Sequence, residues 1–317
     1  MEDVLGTAAI TLWSANWNHI VNFKILLLSI VIEALPFLLL SVVVSAFINN
    51  FVSENAIHQM IPKNKVLSIF MACFLGILFP VCDCGMIPVV RRLILKGVPL
   101  PAGIAFMLAA PIVNPVVGTA TAFAFQNNPQ VVLLRLGTAF GVALCTGLIL
   151  NFFCDDRQLK PLNHVGSHGC CLHTPAHHSL HHSLLHKWIS TLRDASHEFF
   201  EMGKYLLIGA MLGSLSQILI PREMLLALGQ DSSLSTGVMM LFAFFISVCS
   251  AADAFIAASF AGSFTLGSLT AFMVFGPMID LKNLFMLLYT FRTKFVLSLS
   301  LLIILLCFGA ACLINYL

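Results

Sequence analysis

The chain has 317 residues, of which 59% are hydrophobic and only 9% are charged, and its net charge at pH 7 is +2. A soluble domain is about 45–50% apolar and about 25% charged, so this chain has too few polar residues to cover a water-exposed surface. The small net charge also argues against a nucleic-acid partner, which would need a clustered basic surface. The long apolar stretches predict an all-α polytopic membrane protein surrounded by the lipid bilayer.

The apolar stretches form two sets, separated by one hydrophilic segment. The first set covers 24–51, 66–81, 86–96, 99–125 and 131–153, and the second covers 199–220, 234–248, 266–277, 284–289 and 295–316. This order predicts a first transmembrane repeat at 1–153 that includes an N-terminal interfacial segment, an extramembrane linker at 154–198, and a second repeat at 199–317. Several stretches are shorter than the roughly 20 residues of a membrane-crossing helix. We therefore expect four to five transmembrane or re-entrant helices in each half.

The two halves also match each other residue by residue. Four pairs of positions follow in the same order with a nearly constant offset: Glu33 with Glu201, Cys82 with Cys249, Pro111 with Pro277, and Asn114 with Asp280. Interrupted segments at matching places are typical of secondary transporters, whose substrate site lies near the middle of the membrane between the repeats. The pattern predicts an internal repeat and leaves open whether the repeat is parallel or inverted.

Five acidic residues lie within or beside the apolar stretches. Charges inside membrane spans are energetically costly and usually functional. Glu33 and Glu201 occupy matching places, so we interpret them as proton- or ion-coupling groups. The alternative is that these carboxylates lie near the lipid headgroups. Asp83, Asp253 and Asp280 fall at the interruptions, where a polar cavity would accept them.

The Cys82-Asp83-Cys84 triplet is the sharpest local signal. Two thiols two residues apart at a helix break can point toward one cavity, and thiolates prefer soft species such as Cu(I), Zn(II) or trivalent arsenic. The alternative is that small residues are needed there for a tight turn. We expect the substrate site to be lined by Cys82, Asp83, Cys84, Asn114, Cys249, Ser250, Asp253 and Asp280.

The linker carries eight histidines between 164 and 186. Histidines four residues apart share a helix face and chelate Zn or Cu, so we expect a metal site there. Its candidate ligands are His173, His177, His178, His181, His182, His186, Cys170 and Cys171. The alternative is a solvated linker without a role in transport.

Several motifs resemble a known family. The sequences VCDCGMIPV at 81–89, KGVPL at 96–100 and AFMLAAPIVNP at 105–115 resemble the predicted-permease family typified by YraQ, which is related to the ArsP organoarsenical efflux permeases. In the second half, VCSAADAFIAAS at 248–259 and AFMVFGPMID at 271–280 match as well. The resemblance implies a bacterial inner-membrane permease with two repeated halves. The chain departs from the family at Asp83, where serine is usual, and at Ala251, where an acidic residue is frequent.

The sequence thus predicts a multi-pass permease of the secondary type, not an enzyme. It would move a small substrate, such as a thiophilic metal, a metalloid or a sulfur-containing compound, through a central site. We expect no catalytic residues and no required cofactor, and we expect a homodimer or an accessory membrane or soluble subunit. Two alternatives remain: a non-transporting subunit or metal sensor that recruits a partner through the His-rich loop, and a membrane thiol-redox protein that uses Cys82 and Cys84.

Overall fold

The computed structural model describes residues 2–51, 62, 64–77, 82–153, 184–219 and 232–316. Most of the predicted linker ligands, from 170 to 182, lie outside these residues. His186 lies in a described helix, but its side chain is outside the described part. The predicted metal site of the linker therefore stays a prediction.

The described part of the chain folds into helices, six before the linker and six after it. The first six are α1 (Glu2–Phe51), α2 (Lys65–Leu75), α3 (Asp83–Leu95), α4 (Leu100–Ala109), α5 (Pro115–Ala124) and α6 (Pro129–Phe153). The second six are α7 (Leu184–Leu219), α8 (Ser232–Ile246), α9 (Ser250–Ser259), α10 (Leu266–Met278), α11 (Leu281–Thr290) and α12 (Thr293–Tyr316). The all-α prediction is confirmed.

Within the described residues, four segments are long and apolar enough to cross a membrane: Ile20–Ile48, Pro129–Phe153, Leu266–Thr290 and Thr293–Tyr316. Helix α7 begins at Leu184, inside the predicted linker at 154–198. The helix extends this far because no glycine or proline interrupts the chain between 184 and 198. Polar residues of the predicted linker therefore form the first turns of a helix that continues into the second apolar set.

The breaks between short helices occur at matching places in the two halves. Cys82 and Cys249 are the N-cap residues of α3 and α9. Asn114 and Asp280 are the N-cap residues of α5 and α11, and each side chain accepts a hydrogen bond from the backbone N–H three residues later. The order of helices agrees with an internal repeat, and the superposition of the two halves stays a prediction.

The core is built around α4 and α10. All residues of α4 are buried, and so is every residue of α10 from Gly267 to Met278. Both helices are apolar on all sides, which is the pattern of a helix enclosed by other helices. Their neighbours include α2 and α6 around α4, and α8 and α12 around α10. The outer helices instead expose apolar side chains, such as Leu28 and Ile32 of α1, as expected for a surface that faces lipid.

Helices α7 and α11 approach each other at a glycine. A Cβ atom on Gly209 of α7 would lie only 2.4 Å from the Cα atom of Lys282. Small residues allow membrane helices to pack this closely. The contact brings the beginning of α11 against α7, and α11 also packs on α3.

Candidate functional site

The N-terminal ends of α3 and α11 meet in a buried cluster of charged side chains. Asp83 Oδ2 accepts a hydrogen bond of 2.9 Å from Asn283 Nδ2 and lies 3.3 Å from Lys282 Nζ. Lys282 Nζ also lies 3.0 Å from Asp280 Oδ2. All of these residues are buried. The cluster joins the first half of the chain to the second half through side chains alone.

The break before α9 supplies a further hydrogen-bond acceptor to Lys282. Lys282 Nζ donates to the backbone oxygen of Ser247 at 3.1 Å. Ser247 has a φ of 48°, a left-handed conformation that costs a non-glycine residue about 1 kcal/mol or more. Strain of this kind persists where the surrounding structure fixes the backbone. Here it accompanies the turn that directs a carbonyl at the ammonium group.

Two thiols lie beside the charged cluster. Cys82 Sγ is 3.6 Å from Cys84 Sγ, and both cysteines are free. One ligand atom from each of Cys82, Asp83 and Cys84 lies within 4.8 Å of the other two, and all three residues are buried. Two sulfurs and one carboxylate oxygen form a donor set that suits a soft or borderline cation.

These residues line one small cavity. Its walls are formed by Ile30, Glu33, Ala34, Phe37, Cys82, Asp83, Cys84, Ser247, Cys249 and Lys282. Its volume is about 10 Å³, which is close to the least that admits one water molecule. The carboxylates of Glu33, Asp83 and Asp280 outnumber the single ammonium of Lys282. Carboxyl oxygens are ligands of cations, so the surplus of carboxyl groups over ammonium groups favours a cation.

The junction of α5 with α9 has the same kind of capped helix ends but different chemistry. Ser250 Oγ donates to the Pro111 oxygen at 2.8 Å, and Arg135 Nη2 donates to the Ser250 oxygen at 2.6 Å. Arg135 is fully buried, and its Nη1 donates to Thr121 Oγ1 at 2.9 Å. Asn114 caps α5 by accepting from Val117 N at 2.9 Å. Asn114 makes a local capping bond, Ser250 bonds across the two halves, and neither residue lines the cavity.

Asp253 is buried apart from the cavity lining. It is only 2% exposed, and its Oδ2 atom has no hydrogen-bond partner in the described part of the chain. Helix α10 approaches it at Gly276, where a Cβ atom would lie 3.3 Å from that oxygen. The charges within electrostatic reach of Asp253 include those of Arg135 and Lys282. Asp253 therefore places a buried carboxyl group near Arg135 of the second junction and Lys282 of the first.

Glu33 and Glu201 have different surroundings, although their positions match in the sequence. Glu33 lines the cavity beside the thiols. Glu201 accepts a hydrogen bond from the Tyr289 hydroxyl, and the Tyr289 ring stacks on Tyr205 with 4.6 Å between centroids. Of the two predicted coupling groups, the structure brings only Glu33 to the cavity.

The sequence analysis missed three polar residues of these junctions: Lys282, Asn283 and Arg135. Arg135 carries a charge inside an apolar stretch, and Lys282 carries one at an interruption between two such stretches; these are the signals that selected the acidic residues. Lys282 also follows Asp280 by two positions, which places both at one helix start. The identity of their partners depends on which helices cross, and the sequence does not contain that information directly.

A wider groove lies elsewhere in the described part. It runs between α6 and α12, has a volume of about 520 Å³, and is lined mainly by apolar side chains and glycines. None of its lining residues is a charged side chain. The small cavity at Cys82 is the better candidate site because its walls combine thiols, carboxyl groups and an ammonium group, a combination that the groove lacks.

Comparison with known proteins gives a consistent result. Residues 18–316 match a family model, ArsP_1, that describes predicted permeases. The chain is 48% identical over 269 residues to the UPF0718 protein YcgR of Bacillus subtilis (strain 168), which covers 85% of this chain and 88% of that protein. It is 38% identical over 301 residues to a Streptococcus mutans protein named as a subunit of a two-component membrane permease complex, covering 92% and 97%. No solved structure matches the chain.

Proposed function

Because the chain belongs to the ArsP_1 family of predicted permeases and is a multi-pass protein of the bacterial plasma membrane, we propose that it transports a thiophilic metal or metalloid cation. The observation that carries the proposal is the buried group of Cys82, Asp83 and Cys84, whose ligand atoms lie within 4.8 Å of one another. The two sulfurs favour a soft species over a hard ion such as Mg²⁺ or Ca²⁺.

The charge of the site distinguishes a cation from a sulfur-containing anion. Glu33 and Asp83 line the cavity, and Asp280 is paired with Lys282 at its edge. An anionic substrate would add negative charge to a site that already holds more carboxylates than ammonium groups, and repulsion is strong in a buried environment. A cation of charge +1 or +2 would instead reduce the imbalance.

The size of the cavity supports a compact substrate in a closed state of the transporter. A volume of about 10 Å³ accepts a single ion without its hydration shell. Transporters with repeated halves alternate between states that open to either side around one central site. The proposed transport cycle requires α1, α3 or α11 to move, because these helices and the break before α9 enclose the cavity.

The proposal is tested by cadmium binding to the purified, reduced protein. Cd²⁺ bound to thiolates absorbs in the ultraviolet, and we expect a saturable band that is lost in the Cys82→Ser variant. Cys73→Ser is the matched control, because Cys73 is also buried but lies on α2 and does not line the cavity. Both variants keep the His-rich linker, so a difference between them reports the cavity. Equal cadmium bands in the two variants would contradict the proposal.

Transport is then measured by uptake of Cd²⁺, Zn²⁺, Cu⁺ or arsenite into vesicles that contain the same variants. We expect uptake of at least one of these species by the wild type and the Cys73→Ser control, and loss of that uptake in Cys82→Ser. We also propose, from the name of the Streptococcus mutans relative, that the chain works with a second subunit. A purified chain that binds Cd²⁺ but transports only when reconstituted with native membrane extract would support that second point.

A thiol-redox function is the second candidate. It is favoured by the 3.6 Å distance between the sulfurs of Cys82 and Cys84. Such a protein would form a reversible disulfide between these two residues during turnover. Mass spectrometry of the protein after treatment with a dithiol–disulfide redox buffer distinguishes the candidates. At redox potentials where cytoplasmic thiols are reduced, a cation transporter would keep Cys82 and Cys84 reduced, whereas a thiol-redox protein would form the disulfide.

A further inference from the structure

Lys282 is held by three acceptors at once. Its ammonium group lies 3.3 Å from Asp83 Oδ2, 3.0 Å from Asp280 Oδ2 and 3.1 Å from the backbone oxygen of Ser247. An ammonium has three N–H donors, so these contacts use its full capacity. The residue is only 3% exposed, and each of its acceptors comes from a different part of the site.

Asp83 is shared between Lys282 and the proposed substrate. Its Oδ2 atom contacts Lys282 and Asn283, while its Oδ1 atom has no hydrogen-bond partner among the described residues. The same carboxylate belongs to the group that also contains the thiols of Cys82 and Cys84. A metal cation held by this group would lie next to the Lys282 ammonium. Two neighbouring positive charges repel each other strongly when they are buried.

We propose that the Lys282 ammonium group is the counter-ion of Asp83 while no substrate is bound, and that it moves away from Asp83 when a metal cation binds. This inference rests on the proposed function. Asp280 and the Ser247 carbonyl keep Lys282 neutralised and hydrogen-bonded after it withdraws, so the exchange leaves no buried ammonium without a partner. Lys282 and the substrate are thus alternative counter-ions of Asp83.

The exchange lowers the affinity of the site for its substrate. A transport site must bind its ion well enough to admit it and weakly enough to release it. Two thiols and a carboxylate alone would hold a soft cation tightly. Competition from Lys282 lowers that affinity, and the return of the ammonium to Asp83 assists release.

The test compares Lys282→Met with Lys282→Arg and with Lys204→Met. Methionine keeps much of the length and apolar body of lysine and removes its charge, whereas arginine keeps the charge. Lys204 is an exposed lysine of α7 and provides the matched control. Cadmium affinity is read from the thiolate absorption band, and release is read from the rate at which a chelator removes bound Cd²⁺.

We expect Lys282→Met to bind Cd²⁺ roughly tenfold more tightly than the wild type and to release it more slowly. Lys204→Met is expected to stay within about twofold of the wild type, and Lys282→Arg, which keeps the competing charge, is expected to show no tightening. Unchanged or weaker binding in Lys282→Met would overturn the inference. If that variant does not fold, the double variant Asp280→Asn with Lys282→Met preserves the net charge, and a smaller tightening is expected of it because Asp83 is freed while the carboxyl group of Asp280 is lost.

The result also separates this inference from the proposed function. A wild-type protein without a Cys82-dependent cadmium band would contradict the proposed function, and the inference would fail with it. A wild-type protein that has the band, together with Lys282 variants of unchanged affinity, would contradict only the role of Lys282.

Discussion

The junction of α3 with α11 and the junction of α5 with α9 join the two halves of the chain with different side chains. Each brings together helix ends from the two halves of the chain, and each has an N-cap side chain at a break. At positions matched by the caps, Asp83 corresponds to Ser250, and Lys282 and Asn283 correspond to Val116 and Val117. The second junction uses neutral side chains, two backbone carbonyls and Arg135. A break can therefore be closed without two carboxyl groups around an ammonium group, and we propose that this cluster at the first junction serves the substrate.

The largest expected effect comes from removing the shared carboxylate. Asp83→Ala removes the hydrogen bond from Asn283 and the ion pair with Lys282, contacts to a charged group that are worth about 1.5–3 kcal/mol each, and should lower the free energy of unfolding by about 3–5 kcal/mol. The matching change Ser250→Ala removes one hydrogen bond and should cost about 1 kcal/mol. Both are measured by denaturant unfolding in detergent, and cadmium binding should be lost only in Asp83→Ala. Equal costs and equal binding would remove the distinction between the junctions.

The second effect concerns Arg135, the buried arginine at the junction of α5 with α9. Arg135→Met removes the hydrogen bonds to Thr121 and to the Ser250 carbonyl, and should cost about 2–3 kcal/mol of unfolding free energy. Cadmium affinity should not change, because Arg135 does not line the cavity. Arg193→Met on α7 is the exposed control and should cost less than about 0.5 kcal/mol. A large loss of cadmium affinity in Arg135→Met would assign the arginine to the substrate site.

The sequence predicted one side of the charged junction and missed the other. Cys82, Asp83 and Cys84 stand out because polar residues at a helix break interrupt long apolar runs. Lys282 carries the same signal, yet its role depends on the crossing of α11 with α3, which connects residues 200 positions apart in the chain. Asn114 and Asp280 match in sequence and both cap helices, but only Asp280 has a cation beside it. The residues that match between the two halves predicted where the helices break. Which break carries charged side chains depends instead on the residues that the other half of the chain places beside it.

The third effect falls on Asp253, which lies between the two junctions. Asp253→Asn puts an amide in place of a buried carboxyl group whose Oδ2 atom has no hydrogen-bond partner in the described residues. We expect a change in unfolding free energy below about 1 kcal/mol, because the loss of electrostatic partners is offset by the lower desolvation cost of an amide. Transport should fall for every substrate, since the change alters the charge near the site and not its softness. Full uptake activity in vesicles would place the working part of the protein away from the break before α9.

The fourth effect distinguishes two glutamates that match in sequence. Glu33→Gln should weaken cadmium binding severalfold, because this carboxylate lines the cavity. Glu201→Gln keeps a group that accepts the hydrogen bond of Tyr289 and should leave cadmium affinity unchanged. Affinity is read from the thiolate band in both variants. Similar losses in the two would restore the equivalence that the sequence predicted.

The smallest effect on transport is expected from the linker. Replacing 164–183 with a glycine-serine segment leaves α7 intact from Leu184. The change removes most of the proposed Zn or Cu ligands of the linker, so metal bound at micromolar concentration should fall while the Cys82-dependent cadmium band and uptake persist. Metal analysis after dialysis and vesicle uptake measure the two parts. Loss of uptake in this variant would show that the linker takes part in transport.

The contact of Gly209 with Lys282 has a mechanical consequence. Here α7 and α11 meet nearly backbone to backbone, with no room for a side chain between them. Side chains between helices can change rotamer and let the helices slide in small steps, but a contact of this kind has no such freedom. We therefore expect the two helices to move together. We expect opening of the cavity to depend on α1 and α3, which carry Glu33 and the two thiols.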